Sequence, residues 1–462
     1  MMASFSSMPL ELLLHISKLI EFADLKKLSS VNSQLRSTFA PAIFRTIRFT
    51  NLEEDEDNVS QMISRHGQHA SKLQFDFHLR LDSEKEGNSQ PLPEGGFYGS
   101  DDESQNETVD GTSLSSVSSR ILSGELLPHV ASLIVNFIPE DDFYGEGWGD
   151  DEGLGCIYIF EDVVQGAGLK HVEKIWPSWR RTMASMWTVL CRNNAIISLE
   201  TDKLPALPLS SWLQPEWPAF LGRLRSLVLG IRGGDNGAGW KANTATGYRE
   251  FLETLNEHFF DHAKSLTKLH LKADADVFYG DNDMYPSPTA FRPGHMPELE
   301  ELVIENCFID ENCCTYLVDA SNSGSSLKKL SLLDCMANQE TPTWSQVFTR
   351  LDSLGGELSL REFIVANERI EFPDDYEKIS HLPVVKDRPS GTIYVRSTPK
   401  DEGEYPRPFA YGTVDDKYGM IFMDEERNVE EYESGEDFRA YEELMKLIAK
   451  SVKAATKGQI AI

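Results

Sequence analysis

The 462-residue sequence lacks several features that would assign it to a familiar class of protein. It has no apolar run near the roughly 18 residues of a membrane-spanning helix, and its N-terminus lacks the basic-then-apolar order of a signal peptide. The six cysteines are too few and too unevenly spaced for a disulfide framework. These absences predict an intracellular protein of the cytoplasm, the nucleus or both, with no membrane partner.

Positive charge is also scarce. Lys and Arg number 44 against 74 Asp and Glu, which gives a net charge of −30. The excess acid lies mainly in residues 51–58, 82–110, 140–152 and 424–443, and the first three of these segments have the composition of loops or linkers. The remainder is close to neutral and has no basic stripe to neutralise phosphates, so we expect no nucleic-acid partner.

Motifs for catalysis and metal binding are equally missing. His258 and His262 stand one helical turn apart, which is a metal-ligand spacing, but no third ligand is evident. Cys307, Cys313 and Cys314 have no second pair at zinc-site spacing, so we interpret them as core residues. The sequence has no phosphate-binding Gly-rich loop and no Ser/His/Asp or Cys/His motif of a known local form. We therefore predict that the protein is not an enzyme and has no catalytic residue, metal site or cofactor.

The first informative stretch is MPLELLLHISKLI at 8–20. In a helix from Pro9, its apolar residues cover more than half of the circumference, whereas a surface helix needs an apolar stripe of roughly 100°. Two more short helices are predicted, from Asp24 and then to Phe39 before Pro41. A three-helix module of about forty residues is near the size at which a core fails without disulfides, metal or a partner. A partner is therefore expected to cover the second apolar side.

These residues match the F-box pattern of Leu-Pro, an acidic residue with Leu-Leu, Ile, Leu, Asp-Leu, Leu, Val and Trp-Arg. Met8 replaces the usual first Leu, and Leu35 replaces the usual Trp. The chain thus resembles an F-box protein of the fungal type, and the resemblance implies a Skp-type adaptor as partner and, through it, a cullin. The adaptor-binding residues that the resemblance implies are Met8, Pro9, Leu12, Leu13, Ile16, Ile20, Leu25, Leu28 and Val31.

A second pattern, apolar-x-x-apolar-x-apolar, recurs along the rest of the chain. Its copies occupy 130–135, 196–201, 224–229, 266–271, 299–304, 327–332 and 360–365. Cys307 and Cys335 follow two copies at the position where leucine-rich repeats place Asn or Cys, so the chain resembles a degenerate leucine-rich repeat. Each unit would form a strand, covered by a helix such as 247–265, and neighbouring units would stack. A non-repetitive α/β domain with parallel strands of this pattern is the alternative.

The predicted fold class is α/β, with an N-terminal three-helix F-box followed by an irregular leucine-rich-repeat-like solenoid and a C-terminal α+β cap. The predicted divisions are the F-box at 1–50, an acidic, partly disordered linker at 51–120 with a possible first strand near 70–79, the repeat domain at 121–380 and the capping segment at 381–462. In the cap, edge strands are predicted at 391–397 and within 411–424, and a helix is predicted from Ser434.

Two insertions after strands, 232–246 and 273–294, are expected to rim the concave side of the solenoid. They contain the residue types of interface hot spots, which we predict to be exposed and to bind substrate: Trp240, Phe278, Tyr279, Tyr285 and Arg292. The alternative for each aromatic is that it only packs its own loop onto the repeats. The resemblance implies a non-catalytic substrate receptor of a Skp-cullin-F-box ubiquitin ligase, which recruits a target for the ubiquitin-proteasome pathway. An F-box scaffold or regulator outside a ligase is the alternative, and an enzyme with an unrecognised site beside the C-terminal segment is a weaker one.

Overall fold

The computed structural model describes most of the chain. The described residues are 8–52, 56–79, 114–139, 160, 168–175, 178–236, 238–282, 284–322, 324–338, 342–373, 376, 392–397 and 407–459. The acidic segments 82–110 and 140–152, and Cys156, lie outside them. Within the described residues the fold is mixed α/β and is dominated by a ten-stranded sheet.

The N-terminal module consists of three helices: α1 (Leu10–Ser17), α2 (Phe22–Ser29) and α3 (Ser33–Ile43). Two of their bounds differ from the expectation, since α2 begins before Asp24 and α3 continues through Pro41. Pro41 cannot donate a backbone hydrogen bond. After Pro41, Ile43 lies against the module core and the next residue, Phe44, stacks on the His66 ring with centroids 3.7 Å apart.

The sheet contains its strands in chain order. They are β1 (Thr46–Thr50), β2 (Lys72–Leu79), β3 (Ser132–Pro139), β4 (Ser198–Pro205), β5 (Ser226–Arg232), β6 (Lys268–Lys272), β7 (Glu301–Glu305), β8 (Lys329–Leu333), β9 (Glu362–Pro373) and β10 (Thr392–Ser397). Neighbours from β1 to β9 pair in parallel, and β10 pairs antiparallel with β9 at the sheet edge. All seven copies of the apolar pattern form strands, β3 to β9, and β2 confirms the strand predicted near 70–79.

In-register pairing aligns the recurring positions of the pattern, which are apolar except for Thr201, into two buried rows on one face of the sheet. The first row is Ile47, Leu73, Leu133, Leu199, Leu227, Leu269, Leu302, Leu330 and Phe363. The second row is Phe49, Phe75, Val135, Thr201, Leu229, Leu271, Ile304, Leu332 and Val365. Alternate residues point to the opposite face of the sheet. The recurring pattern therefore builds one continuous core.

Helices between the strands contribute to this core. They are α4 (Glu56–His66), α5 (Ser116–Leu122), α6 (Gly168–Ile175), α7 (Ser178–Leu190), α8 (Glu216–Leu221), α9 (Thr246–Glu253), α10 (Glu311–Ala320) and α11 (Trp344–Asp352). The loop expected over 51–58 is wrong for Glu56 and Asp57, which form the first turn of α4, where acids suit the helix dipole. The single helix expected over 247–265 is also wrong, because a π turn follows α9 and the adjacent Phe259 and Phe260 are both buried.

The C-terminal segment contains a hairpin, β11 (Gly412–Val414) and β12 (Ile421–Met423), followed by α12 (Glu425–Ser434) and α13 (Glu436–Gln459). The helix predicted from Ser434 starts at Glu436 instead, because Gly435 adopts a left-handed conformation between the two helices. Tyr441 of α13 packs against Phe348 of α11 with ring centroids 5.5 Å apart. The C-terminal segment thus packs against β9 and α11.

Candidate functional site

The N-terminal module exposes large apolar side chains around a small core. Its core contains Leu13, Leu25, Leu35 and Phe39. On α1, helical geometry places Leu10 and Leu14 on one side of the buried Leu13 and Leu12 on the other. We define the N-terminal apolar surface by its solvent-exposed members, which are Leu10, Leu12, Leu14, Leu19, Phe22 and Val31. Single exposed apolar residues are ordinary, but six large ones within 22 residues are a concentration that the module's own packing does not explain.

The structure sorts the predicted adaptor-binding residues into three groups. Pro9, Leu12 and Val31 are exposed, whereas Met8, Ile16, Ile20 and Leu28 are partly buried. Leu13 and Leu25 are 1% and 4% exposed, so the prediction is corrected for these two: they hold the module together and offer no surface to a partner. The prediction omitted Leu10, Leu14, Leu19 and Phe22. The helical pattern of 8–20 already contained Leu10 and Leu14, but Phe22 precedes the helix start expected at Asp24.

The module is joined directly to the sheet. Only Phe44 and Arg45 separate α3 from β1, and β1, which falls within the predicted F-box range of 1–50, already pairs with β2 of the sheet. The Arg45 carbonyl accepts hydrogen bonds from the backbone N–H groups of Ser71, at 2.8 Å, and Lys72, at 3.1 Å. With the ring stack of Phe44 on His66, these contacts hold the N-terminal apolar surface in a defined orientation to the sheet.

Two of the predicted substrate-binding residues pack the insertion after β6 against the carboxyl ends of the strands. Phe278 and Tyr279 are 5% and 1% exposed, so the expectation of exposed aromatics is wrong for them. Phe278 packs on Phe308 with centroids 5.5 Å apart, and the Tyr279 hydroxyl accepts a hydrogen bond from the Ala290 N–H. Aromatic rings supply the largest apolar area in this Gly-, Asp- and Pro-rich segment, which explains why they are buried.

The other predicted substrate-binding residues lie in two places. Trp240 and Tyr285 are half-buried against the turn at 415–420, where Trp240 meets the Tyr418 ring with centroids 4.9 Å apart. Arg292 is exposed and lines a cleft of about 330 Å³ with Glu253. The five residues therefore do not form one exposed rim.

The sheet face opposite the buried rows presents charged side chains in register. Lys268 pairs with Glu301 at 2.8 Å, and Lys329 pairs with Glu362 at 3.1 Å. On the next positions along β6 and β7, Glu305 accepts from both His270 and Lys272 at 2.9 Å, and these partners lower the pKa of the Glu305 carboxyl. Opposite charges on neighbouring strands thus compensate each other across this face.

On the same face of the sheet, near the end formed by the first strands of the chain, one carboxylate is buried. Asp76 of β2 is 1% exposed and accepts hydrogen bonds from Asn136 at 2.6 Å and Gln74 at 3.1 Å, and it also pairs with Arg48. These partners lower the pKa of Asp76 in spite of its burial. The cluster satisfies a buried charge and links β1, β2 and β3.

The residues considered for metal or thiol chemistry are engaged in packing. Burial lowers the pKa of His258 to about 4, and its ring lies 5.6 Å from that of Trp212. Cys307, Cys313 and Cys314 are buried free thiols, as predicted for core cysteines. Burial raises the pKa of Cys314 to about 12, which keeps this thiol protonated at neutral pH. In the described part of the chain, no three His, Cys, Asp or Glu side chains form a group that could hold a metal ion.

None of the helices that the structure describes combines the length and apolar character needed to cross a membrane. Comparison with protein-family models and with curated proteins finds no match for the chain. Function is therefore inferred from the N-terminal apolar surface and from the insertions at the sheet edge.

Proposed function

We propose that the protein is a non-catalytic substrate receptor that binds a Skp-type adaptor through its N-terminal apolar surface. Through the adaptor and a cullin, it would hold a target protein for ubiquitylation. The observation that carries this proposal is the concentration of exposed Leu, Phe and Val side chains on a module whose sequence matches the F-box pattern. The protein's contribution would be proximity, so it requires no acid-base chemistry.

The energetics favour a partner for this surface. Each square ångström of apolar area removed from water contributes about 25 cal/mol. Leu19 and Val31 are 74% and 68% exposed. In the free protein, the exposed area of these side chains contributes no hydrophobic stabilisation. A partner with an apolar groove would gain from covering these side chains, while the core around Leu13 and Phe39 keeps the helices in place.

The finer architecture is part of the same proposal. Parallel strands that follow one another in chain order, with two aligned apolar rows, support a leucine-rich-repeat-like solenoid. The antiparallel strand β10 and the helix α13 would then be its C-terminal cap. A solenoid of this kind offers an extended surface to a target while the N-terminal module binds the adaptor.

Co-expression with a Skp-type adaptor tests the adaptor surface. Leu12→Asp and Val31→Asp place charges on exposed positions, so we expect the variants to fold normally and to lose adaptor co-purification. Alanine at a hot spot of such an interface costs about 2 kcal/mol, or about thirtyfold in Kd, so Leu12→Ala is expected to weaken binding by that amount. Lys18→Ala is the matched control, because Lys18 is exposed and charged on the same module.

Far-UV circular dichroism and the thermal midpoint show whether each variant is folded. Undiminished adaptor recovery by the folded Leu12→Asp/Val31→Asp double variant would rule out this surface. Affinity purification with and without proteasome inhibition then separates the receptor from a scaffold acting outside a ligase. Adaptor and cullin recovered with accumulating ubiquitylated partners favour the receptor, whereas adaptor without cullin favours the scaffold.

A further inference from the structure

Three segments that are distant in sequence meet beside the carboxyl ends of β5 and β6. Residues 238–243 contact the turn 415–420 through the Lys241 N–H, which donates to the Tyr418 carbonyl at 2.8 Å, and through the Asn243 side chain, which donates to the Gly419 carbonyl at 2.9 Å. The Tyr285 hydroxyl donates to the Asp416 carbonyl at 2.8 Å. We call the surface formed by Trp240, Tyr285 and Tyr418 the aromatic corner.

Cationic side chains of the protein itself lie over the rings of the aromatic corner. The Lys417 ammonium lies 4.5 Å from the centroid of the Tyr418 ring and 6.0 Å from that of Trp240. The Arg249 guanidinium lies 5.8 Å from the centroid of Tyr285. These separations are those of cation–π contacts, so the rings already attract positive charge. The Lys417 side chain is exposed and is therefore easily displaced.

Carboxylates surround the aromatic corner. Asp235 and Asp276 share the Lys241 ammonium at 3.1 and 3.2 Å, and their side chains remain 42% and 62% exposed. One lysine between two carboxylates leaves that group with a net negative charge. Asp416 is also exposed, beside Lys417. A cation that approaches the rings thus finds an acidic environment already held in place by the contacts between the three segments.

We infer that the aromatic corner binds a lysine or arginine side chain in a basic linear segment of the target protein, which displaces Lys417 from the Tyr418 and Trp240 rings. Asp276 and Asp416 pair with neighbouring cations of the same segment. This inference rests on the proposed function, since it identifies the chemical class of the target that the receptor recruits.

Binding of a defined peptide tests the inference on the full chain. The probe is a fluorescein-labelled (Lys-Gly)₄ peptide, and its matched control has every lysine Nζ-acetylated. We expect the charged peptide to bind and the acetylated peptide to fail. Trp240→Ala should weaken binding about fivefold, the size expected for loss of one partly exposed cation–π contact. Lys264→Ala, an exposed lysine outside the corner, should leave the Kd unchanged.

Variants of the internal cation distinguish displacement from simple charge repulsion. Lys417→Ala should strengthen peptide binding, and the gain should be smaller in a Tyr418→Ala background, because that variant lacks the nearer of the two rings that Lys417 contacts. Fluorine NMR of 5-fluorotryptophan-labelled protein should show the Trp240 resonance, assigned with Trp240→Phe, shifting on titration. An equal gain in both backgrounds, or unaltered peptide binding by folded Trp240→Ala, would overturn the inference.

The adaptor readout is independent of this experiment. All corner variants are expected to retain adaptor binding, because the N-terminal apolar surface is untouched in them. Loss of peptide binding with retained adaptor binding places the peptide at the corner. Failure of the adaptor experiment would remove the proposed function without altering the peptide measurements, whereas failure at the corner leaves the adaptor surface standing.

Discussion

At the scale of single residues, Asp437 is an informative buried acid. It lies in the first turn of α13, and its two carboxylate oxygens accept hydrogen bonds from the Ser345 N–H at 2.7 Å and the Tyr411 hydroxyl at 2.8 Å. Burial raises the pKa of Asp437 to about 6 from an ordinary value of 3.8, in spite of these hydrogen bonds, and the nearby Glu431 carboxylate adds to the shift. Asp437 therefore joins α11, the residue before β11 and α13, and its ionisation in this buried place has an electrostatic cost.

The sign of its pH dependence follows from the raised pKa. The folded state holds the proton more tightly than the unfolded state, so ionisation of Asp437 opposes folding. Its contribution to the free energy of unfolding is highest below about pH 4, declines as the pH rises through about 6 and is constant above that. Relative to Asp437→Asn, the wild type should lose about 2 to 3 kcal/mol across this window. Urea unfolding of both proteins from pH 4 to 7 measures the difference; a difference that is flat with pH would contradict it.

Residue-level exposure was the part of the site that the sequence predicted least well. Hot-spot residue types pointed to Phe278 and Tyr279, but both are buried by contacts with Phe308 and Ala290. Trp240 and Tyr285 meet residues 415–420, more than 130 positions away, and no local pattern announces such a contact. Aromatic side chains are equally suited to packing and to binding, so composition alone does not separate the two.

At the scale of elements, the apolar pattern predicts β3 to β9 because its spacing matches the two-residue period of a strand and each copy pairs in register with the next. It does not predict β1, whose sequence TIRFT lacks the leucine spacing, or α12, which is too acidic to show an apolar face. The pattern also does not predict the π turn after α9, because helical periodicity assumes a regular α-helical turn. In the π turn the adjacent Phe259 and Phe260 are both buried.

The two apolar rows predict how single strand substitutions differ. Leu302 is fully buried in the first row between Leu269 and Leu330, whereas its neighbour Val303 is half-buried on the opposite face. Leu302→Ala should lower the free energy of unfolding by about 2 to 5 kcal/mol through the cavity that it leaves. Val303→Ala, the matched control on the same strand, should cost about 1 kcal/mol or less. Equal losses in urea titrations would show that the rows do not form the principal core.

At the scale of the whole molecule, the module and the sheet form a single connected unit. The short connection through Phe44 and Arg45, with the Phe44 stack on His66, leaves little freedom between the N-terminal apolar surface and the sheet. The sequence predicted the three helices and the series of strands, and it placed the end of the F-box at residue 50, after the strand β1. The F-box-like continuation after Pro41 runs without a break into this strand, so the sequence pattern does not mark where the sheet begins.

Because the sheet begins at Thr46, two N-terminal deletions are expected to have different outcomes. Removing residues 1–43 deletes the N-terminal apolar surface and keeps β1, so the shortened chain should fold and aggregate less than the adaptor-free full chain. Removing residues 1–50 also deletes Ile47 and Phe49, which are fully or almost fully buried on Leu73 and Phe75 of β2. This second deletion uncovers both apolar rows at the sheet edge. It should therefore lower the free energy of unfolding by several kcal/mol relative to the first, on the scale of two large core side chains.

Size-exclusion chromatography with light scattering compares the association of the three chains, and urea unfolding compares their stabilities. If the chain without residues 1–43 aggregates as much as the full chain, the exposed leucines are not the cause of association. If the two deletions unfold at the same urea concentration, β1 contributes nothing to the sheet. Adaptor co-expression supplies the remaining comparison, because it should improve the solubility of the full chain and leave both shortened chains unchanged.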